Sequence, residues 1–245
     1  MKDLIYSENT SLISGGNMEN KVRYRFSPND KIFFTSDQHF DHTNIIRFCN
    51  RPFKSVEEMN ETLIDNWNKK VPEDGIVFIL GDFCFGGFPV WESILNRLNG
   101  KKYLIKGNHD MKQNIQNEDR LNKMFEWVGF QMLIEVGNRK VYLNHYPFLC
   151  YGGSYRSEKG AVWALSGHTH ICKIGNTGKD FERMKYLFPT QYDVGVDFND
   201  FTPISFKEVE EKIEFQVANN VNLMYWVKSY GAPQYSHVKA IMDKL

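Results

Sequence analysis

The stretch Lys101 to Asp110, KKYLIKGNHD, decides how the rest of the chain is read. Tyr103, Leu104 and Ile105 make an apolar run of buried-strand length, and Gly107, Asn108, His109 and Asp110 follow almost at once. Burying such polar side chains unpaired costs roughly 2–7 kcal/mol each. An amide, an imidazole and a carboxylate on one sharp turn therefore need a compensating partner, and a bound cation would supply one.

Working outward, the same design recurs. Lys31–Ser36 (KIFFTS) runs into Asp37-Gln38-His39, and Ile76–Leu80 (IVFIL) into Gly81-Asp82. Arg139–Asn144 runs into His145, and Ala161–Ser166 into Gly167-His168-Thr169-His170. Helical spacing predicts helices between the strands. Ser55 with Glu58 caps one through Lys70, Pro89–Leu98 ends near Gly100, Asp119–Trp127 is a third, and Ser205 with Glu208 caps a fourth to about Gln216. Gly137-Asn138 is a tight hairpin turn between Gln131–Val136 and Arg139–Asn144. Val22, Tyr24 and Phe26 alternate as a half-buried strand that enters the core through a hairpin-like turn, and Tyr192–Asp197 reads as a last strand. Apolar strands alternating with amphipathic helices predict a layered α/β fold, where ligands gather at the carboxyl ends of strands.

A chain of 245 residues can bury about three quarters of its unfolded surface around one core. Residues 1–20 are polar and read as a flexible extension, leaving one domain over 21–245 with its motifs in 31–200. Lys plus Arg equals Asp plus Glu at 30 each, so net charge offers no general attraction to nucleic acid or anionic lipid. Cys49, Cys84, Cys150 and Cys172 contain no CxxC pair, and no apolar run has signal-peptide or membrane-span length. A cytoplasmic protein without a membrane partner is the expectation.

Five of the seven histidines lie in the strand ends. A Gly-His-x-His match arises by chance only about 0.01 times in a chain of this composition. Taken singly, Asp82 could be a turn residue, Asn108 a turn former and His145 a core histidine; the ordered set argues otherwise. Imidazole, carboxylate and amide donors without cysteine suit Mn, Fe(II) or Zn and argue against a zinc finger. Seven candidates exceed the needs of one ion. Two ions roughly 3.5–4 Å apart would use them and serve displacement at phosphorus.

The ordered set DxH, GD, GNH followed by an acid, a lone His and GHxH resembles the calcineurin-like metallophosphoesterase superfamily, over about residues 31–200. Asp37 to Ile46 and Arg51-Pro52-Phe53 resemble a small bacterial and phage branch of it. The resemblance implies a sandwich of two mixed β-sheets flanked by helices. It implies that Asp37, His39 and His170 hold one divalent ion, that Asn108, His145 and His168 hold the other, and that Asp82 bridges them. Manganese is the expected metal, with iron, zinc or nickel as alternatives. A metal-bridging hydroxide would then attack a phosphomonoester or phosphodiester, with His109 stabilising or protonating the leaving oxygen and Asp110 orienting His109. Phe85 departs from the pattern, since many members carry Asp or Arg three residues after the GD aspartate.

His42, Asn44, Arg51, Tyr151 and Arg156 are candidate contacts for phosphate oxygens, with plain surface residues as the alternative. Cys84 and Cys172 read as small buried hydrophobes and Trp163 as core. A phosphorylated metabolite, a nucleotide or a nucleic-acid end is the expected substrate. A protein-binding scaffold that keeps the fold without activity is the competing interpretation.

Overall fold

The computed structural model describes residues 24–112, 118–171 and 183–229. The expected N-terminal extension, Cys172, His237 and most of the tail lie outside them. Among the described residues, ten strands form two five-stranded sheets. In the first, the order is β10 (Ile204–Ser205), β2 (Ile32–Thr35), β3 (Ile76–Ile79), β4 (Lys101–Ile105), β5 (Trp127–Gly129). In the second it is β1 (Tyr24–Phe26), β6 (Gln131–Val136), β7 (Arg139–Asn144), β8 (Val162–Ser166), β9 (Gln191–Asp193). Each sheet is mixed: β10 runs antiparallel to β2 and β6 to β7, while the other pairings are parallel.

The period of two along each strand divides the core. Ile32, Phe34, Phe78, Leu80, Tyr103 and Ile105 face the second sheet, where Met132, Ile134, Val141, Leu143, Trp163 and Leu165 meet them. Their neighbours Phe33, Val77, Ile79 and Leu104 face the other way, under the helices. There they meet Met59, Leu63 and Trp67 of α2 (Val56–Lys70), Trp91 and Ile94 of α3 (Phe88–Leu95), and Leu121 of α5 (Glu118–Met124). Burial on both faces explains why β2, β3 and β4 read as unbroken apolar runs, while β6 and β7, covered on one face, alternate.

The caps have local causes. Ser55 Oγ accepts the Glu58 amide at 3.2 Å, but the Glu58 carboxylate accepts from Lys54 N at 2.7 Å, one residue outside a full capping box. At α6 (Phe206–Ala218) both halves of the Ser205/Glu208 box form. Gly137 has φ 56°, as the first residue of its two-residue hairpin turn requires.

Several expectations need correction. β1 pairs parallel with β6, in the sheet opposite β2, so the chain does not enter through a hairpin. Trp127 belongs to β5, paired beside Tyr103 and edge-on to Tyr24, so the third helix stops at Met124. The second ends at Leu95 although Leu98 is still buried. Two short helices, α1 (Thr43–Phe48) and α4 (Asn108–Lys112), add to the expected ones, and α7 (Met224–Ser229) closes the described chain. Between β7 and β8 the chain forms a 3-10 segment, Ser154–Lys159.

Candidate metal centre

Five strand ends deliver the donors. β2, β3 and β4 run parallel and end together, as do β7 and β8, so Asp37, Asp82, Asn108, His145 and His168 emerge from neighbouring ends. Backbone bonds then continue past the strands and join turn to turn. Asp37 N donates to Gly81 O (2.9 Å), His39 N to Asp82 O (3.0 Å) and Gly167 N to His145 O (3.0 Å). Asp37, His39, Asp82, His168 and His170 all take positive φ, between 43° and 69°. Left-handed backbone at a residue with a Cβ costs roughly 1–2 kcal/mol, and such strain collects at functional sites. Glycine serves where backbone must touch carboxylate: a Cβ on Gly107 would overlap Asp82 Oδ1, and one on Gly167 would overlap Asp37 Oδ2.

Two donor groups result. Asp37, His39 and His170 form one, and Asp82, His145 and His168 the other, each with its ligand atoms within 4.8 Å of one another. Asn108 Oδ1 lies 3.1 Å from His145 Nε2 and so joins the second. Asp82 Oδ2 sits between the groups, 3.6 Å from His39 Nε2 and 3.5 Å from His145 Nε2. Those separations are too long for hydrogen bonds and shorter than about 4.2 Å, twice the metal–ligand bonds of about 2.1 Å that these donors make. Asp37 Oδ1 and His39 Nε2 are buried without a hydrogen-bond partner. Orphaned donors aimed at a common centre fit divalent cations, which would satisfy them.

The surroundings fix the imidazoles. His145 Nδ1 lies 2.7 Å from the Leu80 carbonyl, an acceptor only, so Nδ1 carries the proton and Nε2 presents its lone pair to the centre. His170 Nδ1 bonds Asp197 Oδ2 at 2.8 Å, which turns its Nε2 toward Asp37. Burial, reinforced by His170 and Arg51, drives the His39 pKa well below the ordinary imidazole value and keeps the ring neutral. Burial also raises Asp37, and it raises Asp193, beside Asp37, to about 7. Asp197 is held well below the usual carboxylate range: burial opposes this, but Arg51 and His170 outweigh it.

His109 stands at the mouth. Its backbone N–H donates to Asp82 Oδ1 at 2.8 Å, its Nε2 is 4.0 Å from Asp82 Oδ2, and its side chain is 31% exposed against 1–2% for His145 and His39. Asp110 has a different task from the one expected. Its buried carboxylate accepts from the backbone N–H groups of Asp82, Phe83 and Gly107 at 2.7–3.0 Å, stapling two donor turns together instead of orienting His109. Burial and the nearby Asp82 raise its pKa to about 6.

Arg51 is a second correction. Its side chain is fully buried; it forks onto both oxygens of Asp197 at 2.8 Å and donates to the carbonyls of Asp37 and Gln38 at 2.7 and 2.8 Å. It has no free donor edge toward a substrate and acts instead through Asp197 on His170. Arg156 is exposed, its guanidinium 5.2 Å from the Tyr155 ring, and no contact among the described residues ties it to the centre. Tyr151 bonds Thr190 through its hydroxyl, and Asn44 is exposed in the first turn of α1. His42 is close: its Nδ1 lies 3.4 Å from His39 Nδ1, and its ring stacks on Phe85. Cys84 is buried with its thiol pushed up to about 12, and Trp163 is core.

Sequence reasoning missed Asp193 and Asp197. Asp193 accepts the Thr169 hydroxyl at 2.7 Å and the Gly195 amide at 2.7 Å, which fixes the loop between His168 and His170. The signal was present, since two aspartates sit inside an otherwise apolar run, YDVGVDF.

The profile of the calcineurin-like phosphoesterases matches residues 30–183. This chain belongs to the calcineurin-like phosphoesterase family. Within and around that family, it is 32% identical over 188 residues to the uncharacterized protein MJ1445 of Methanocaldococcus jannaschii, spanning 75% of this chain and 92% of that protein. It is 27% identical over 199 residues to the gene 66 protein of Mycobacterium phage D29, covering 74% of this chain and 95% of the phage protein. Among solved structures it is similar to AQ665 of Aquifex aeolicus, a protein of unknown function, with TM-score 0.55, 26% identity, and coverage of 75% of this chain and 99% of the other. The calcineurin-like phosphoesterase match ends before Asp193 and Asp197, so the carboxylates that brace Thr169 and His170 lie just past the shared segment.

Proposed function

We propose that this calcineurin-like phosphoesterase is a dinuclear metal-dependent hydrolase of a phosphomonoester or phosphodiester. The carrying observation is the Asp82 carboxylate oxygen set between His39 and His145, 3.6 and 3.5 Å from their Nε2 atoms, with a donor group on each side. Asp37, His39 and His170 would hold one ion, Asn108, His145 and His168 would hold the other, and Asp82 would serve both. The nitrogen and oxygen set suits manganese, with iron, zinc or nickel as substitutes. When bound, such ions supply positive charge that makes water more acidic and offsets charge developing at phosphorus.

The protein's own groups do the rest. His109, more exposed than His39, His145 and His170, meets the leaving oxygen and stabilises or protonates it. Asp110 keeps the turns of Asp82 and His109 in register, and Arg51 with Asp197 keeps His170 Nε2 aimed inward. No helix among the described residues is long and apolar enough to cross a membrane. The free thiols Cys49, Cys84 and Cys150 support the reading of a reducing, cytoplasmic location.

The test is turnover of p-nitrophenyl phosphate and its bis ester by manganese-loaded protein, with metal analysis of each variant. Asp82→Ala is expected to lose both ions and all turnover. His109→Ala is expected to keep its metal and lose 10²–10⁴-fold in rate, the usual worth of an acid–base group. Full turnover by either variant refutes its assigned role. Full metal loading without turnover on any phosphoester would favour the scaffold.

A further inference from the structure

Beside the centre runs a line of rings that the proposed chemistry does not use. Phe85 lies flat against His42, with centroids 3.8 Å apart and planes 7° from parallel, and its ring is 5.2 Å from that of His109. His42 meets the edge of Phe48 at 6.3 Å. Phe48, the last residue of α1, is 61% exposed, and the Arg47 guanidinium sits 5.3 Å from its centroid. Across the centre, Tyr146 is 41% exposed and edge-on to His168 and His145, at 4.6 and 5.0 Å. A single exposed phenylalanine is ordinary. This one stands edge-on to a stacked pair, His42 and Phe85, whose inner ring lies beside His109.

We infer that Phe48, His42 and Phe85 form a stacking platform for a nucleobase attached to the scissile phosphoester, so that the substrate class is nucleotidyl. The inference rests on the phosphoesterase reading and sharpens it. A nucleoside phosphate carries its base one sugar away from phosphorus, and the platform begins one ring away from the imidazole that faces the phosphoryl group. Every base has a π-face, and stacking on aromatic side chains strengthens binding by about 5- to 150-fold per base without reading sequence. Arg47 adds a cation at the outer end, where a flanking phosphate would lie. Sugar phosphates and phosphoserine carry no planar group for this surface. The chain's zero net charge is no obstacle, because a platform for one or two bases needs no extended basic groove.

The experiment uses a dinucleotide containing 2-aminopurine joined by a slowly cleaved phosphorothioate, titrated into metal-free and manganese-loaded protein. Stacking is expected to quench its fluorescence severalfold. Phe48→Ala is expected to weaken binding about tenfold, as loss of one stacked base implies, and an abasic analogue is expected to compete equally poorly with the unmodified protein. Phe48 is exposed, so its thermal melt should be unchanged, and Phe85→Leu provides an independent variant. For turnover, the ratio of kcat/KM for thymidine 5′-p-nitrophenyl phosphate over methyl p-nitrophenyl phosphate should fall about tenfold in Phe48→Ala. Affinity that rises with oligonucleotide length and drops on Arg47→Ala identifies polynucleotide as the source of the base; length-independent affinity identifies single nucleotides. Unquenched fluorescence, an abasic analogue that binds as well, or an unchanged substrate ratio overturns the platform. Absence of hydrolysis with every metal and ester would sink the phosphoesterase reading, while the fluorescence titration would still decide the platform.

Discussion

Arg51 shows what a single buried charge does here. Its guanidinium balances Asp197 and ties down the two carbonyls that precede His39, so Arg51→Ala leaves a buried carboxylate unpaired. Breaking such a pair costs about 3–5 kcal/mol, which urea denaturation should record as a lower midpoint. Arg51→Lys keeps the charge but not the fork and should recover only part of the loss. Asp197→Asn is expected to keep the fold while weakening metal affinity 10–100-fold, the usual effect of removing an outer partner of a ligating histidine; calorimetric metal titration measures it. Arg51 was read from sequence as a surface or phosphate contact because its partner is 146 residues away. Nothing in RPF signals burial. The histidines were legible because residue type and order carry their chemistry, whereas proximity in sequence to His109 gave no sign that the Asp110 carboxylate accepts three backbone N–H groups from two turns.

Among the elements, the turns hold more information than the strands they follow. Gly107→Ala forces a Cβ into the Asp82 carboxylate. It is therefore expected to deplete bound metal and activity while far-UV circular dichroism stays near that of the unmodified protein. Retained metal at full stoichiometry would show that the turn can yield. Strands β2 to β4, β6 and β7 and helices α2 and α6 were legible, since apolar runs, period-two alternation and Ser…Glu caps are local signals. α1 and β10, of six and two residues, are too short to display a period. β1 misled because a strand before a turn suggests the next strand as its partner, and its true partner begins more than a hundred residues on. The left-handed conformations of Asp37, His39, Asp82, His168 and His170 leave only a weak mark in residue type, because aspartate and histidine are enriched at positive φ but occupy ordinary φ at most of their positions.

At the scale of the molecule, the two sheets share one core, and the donors divide between them. Asp37, His39, Asp82 and Asn108 follow strands of one sheet; His145, His168 and His170 follow strands of the other. Manganese should therefore raise the melting temperature, by an amount that grows with free metal and corresponds to about 2.7 kcal/mol at a hundredfold excess over Kd. A chelator should reverse the shift, and Asp82→Ala should abolish it. Cations seated at that seam would be rivets through two plates. Pulled apart edge from edge in a single-molecule trap, the loaded protein should yield in one abrupt rupture at higher force than the stripped one, because the bolts must shear before the plates can slide.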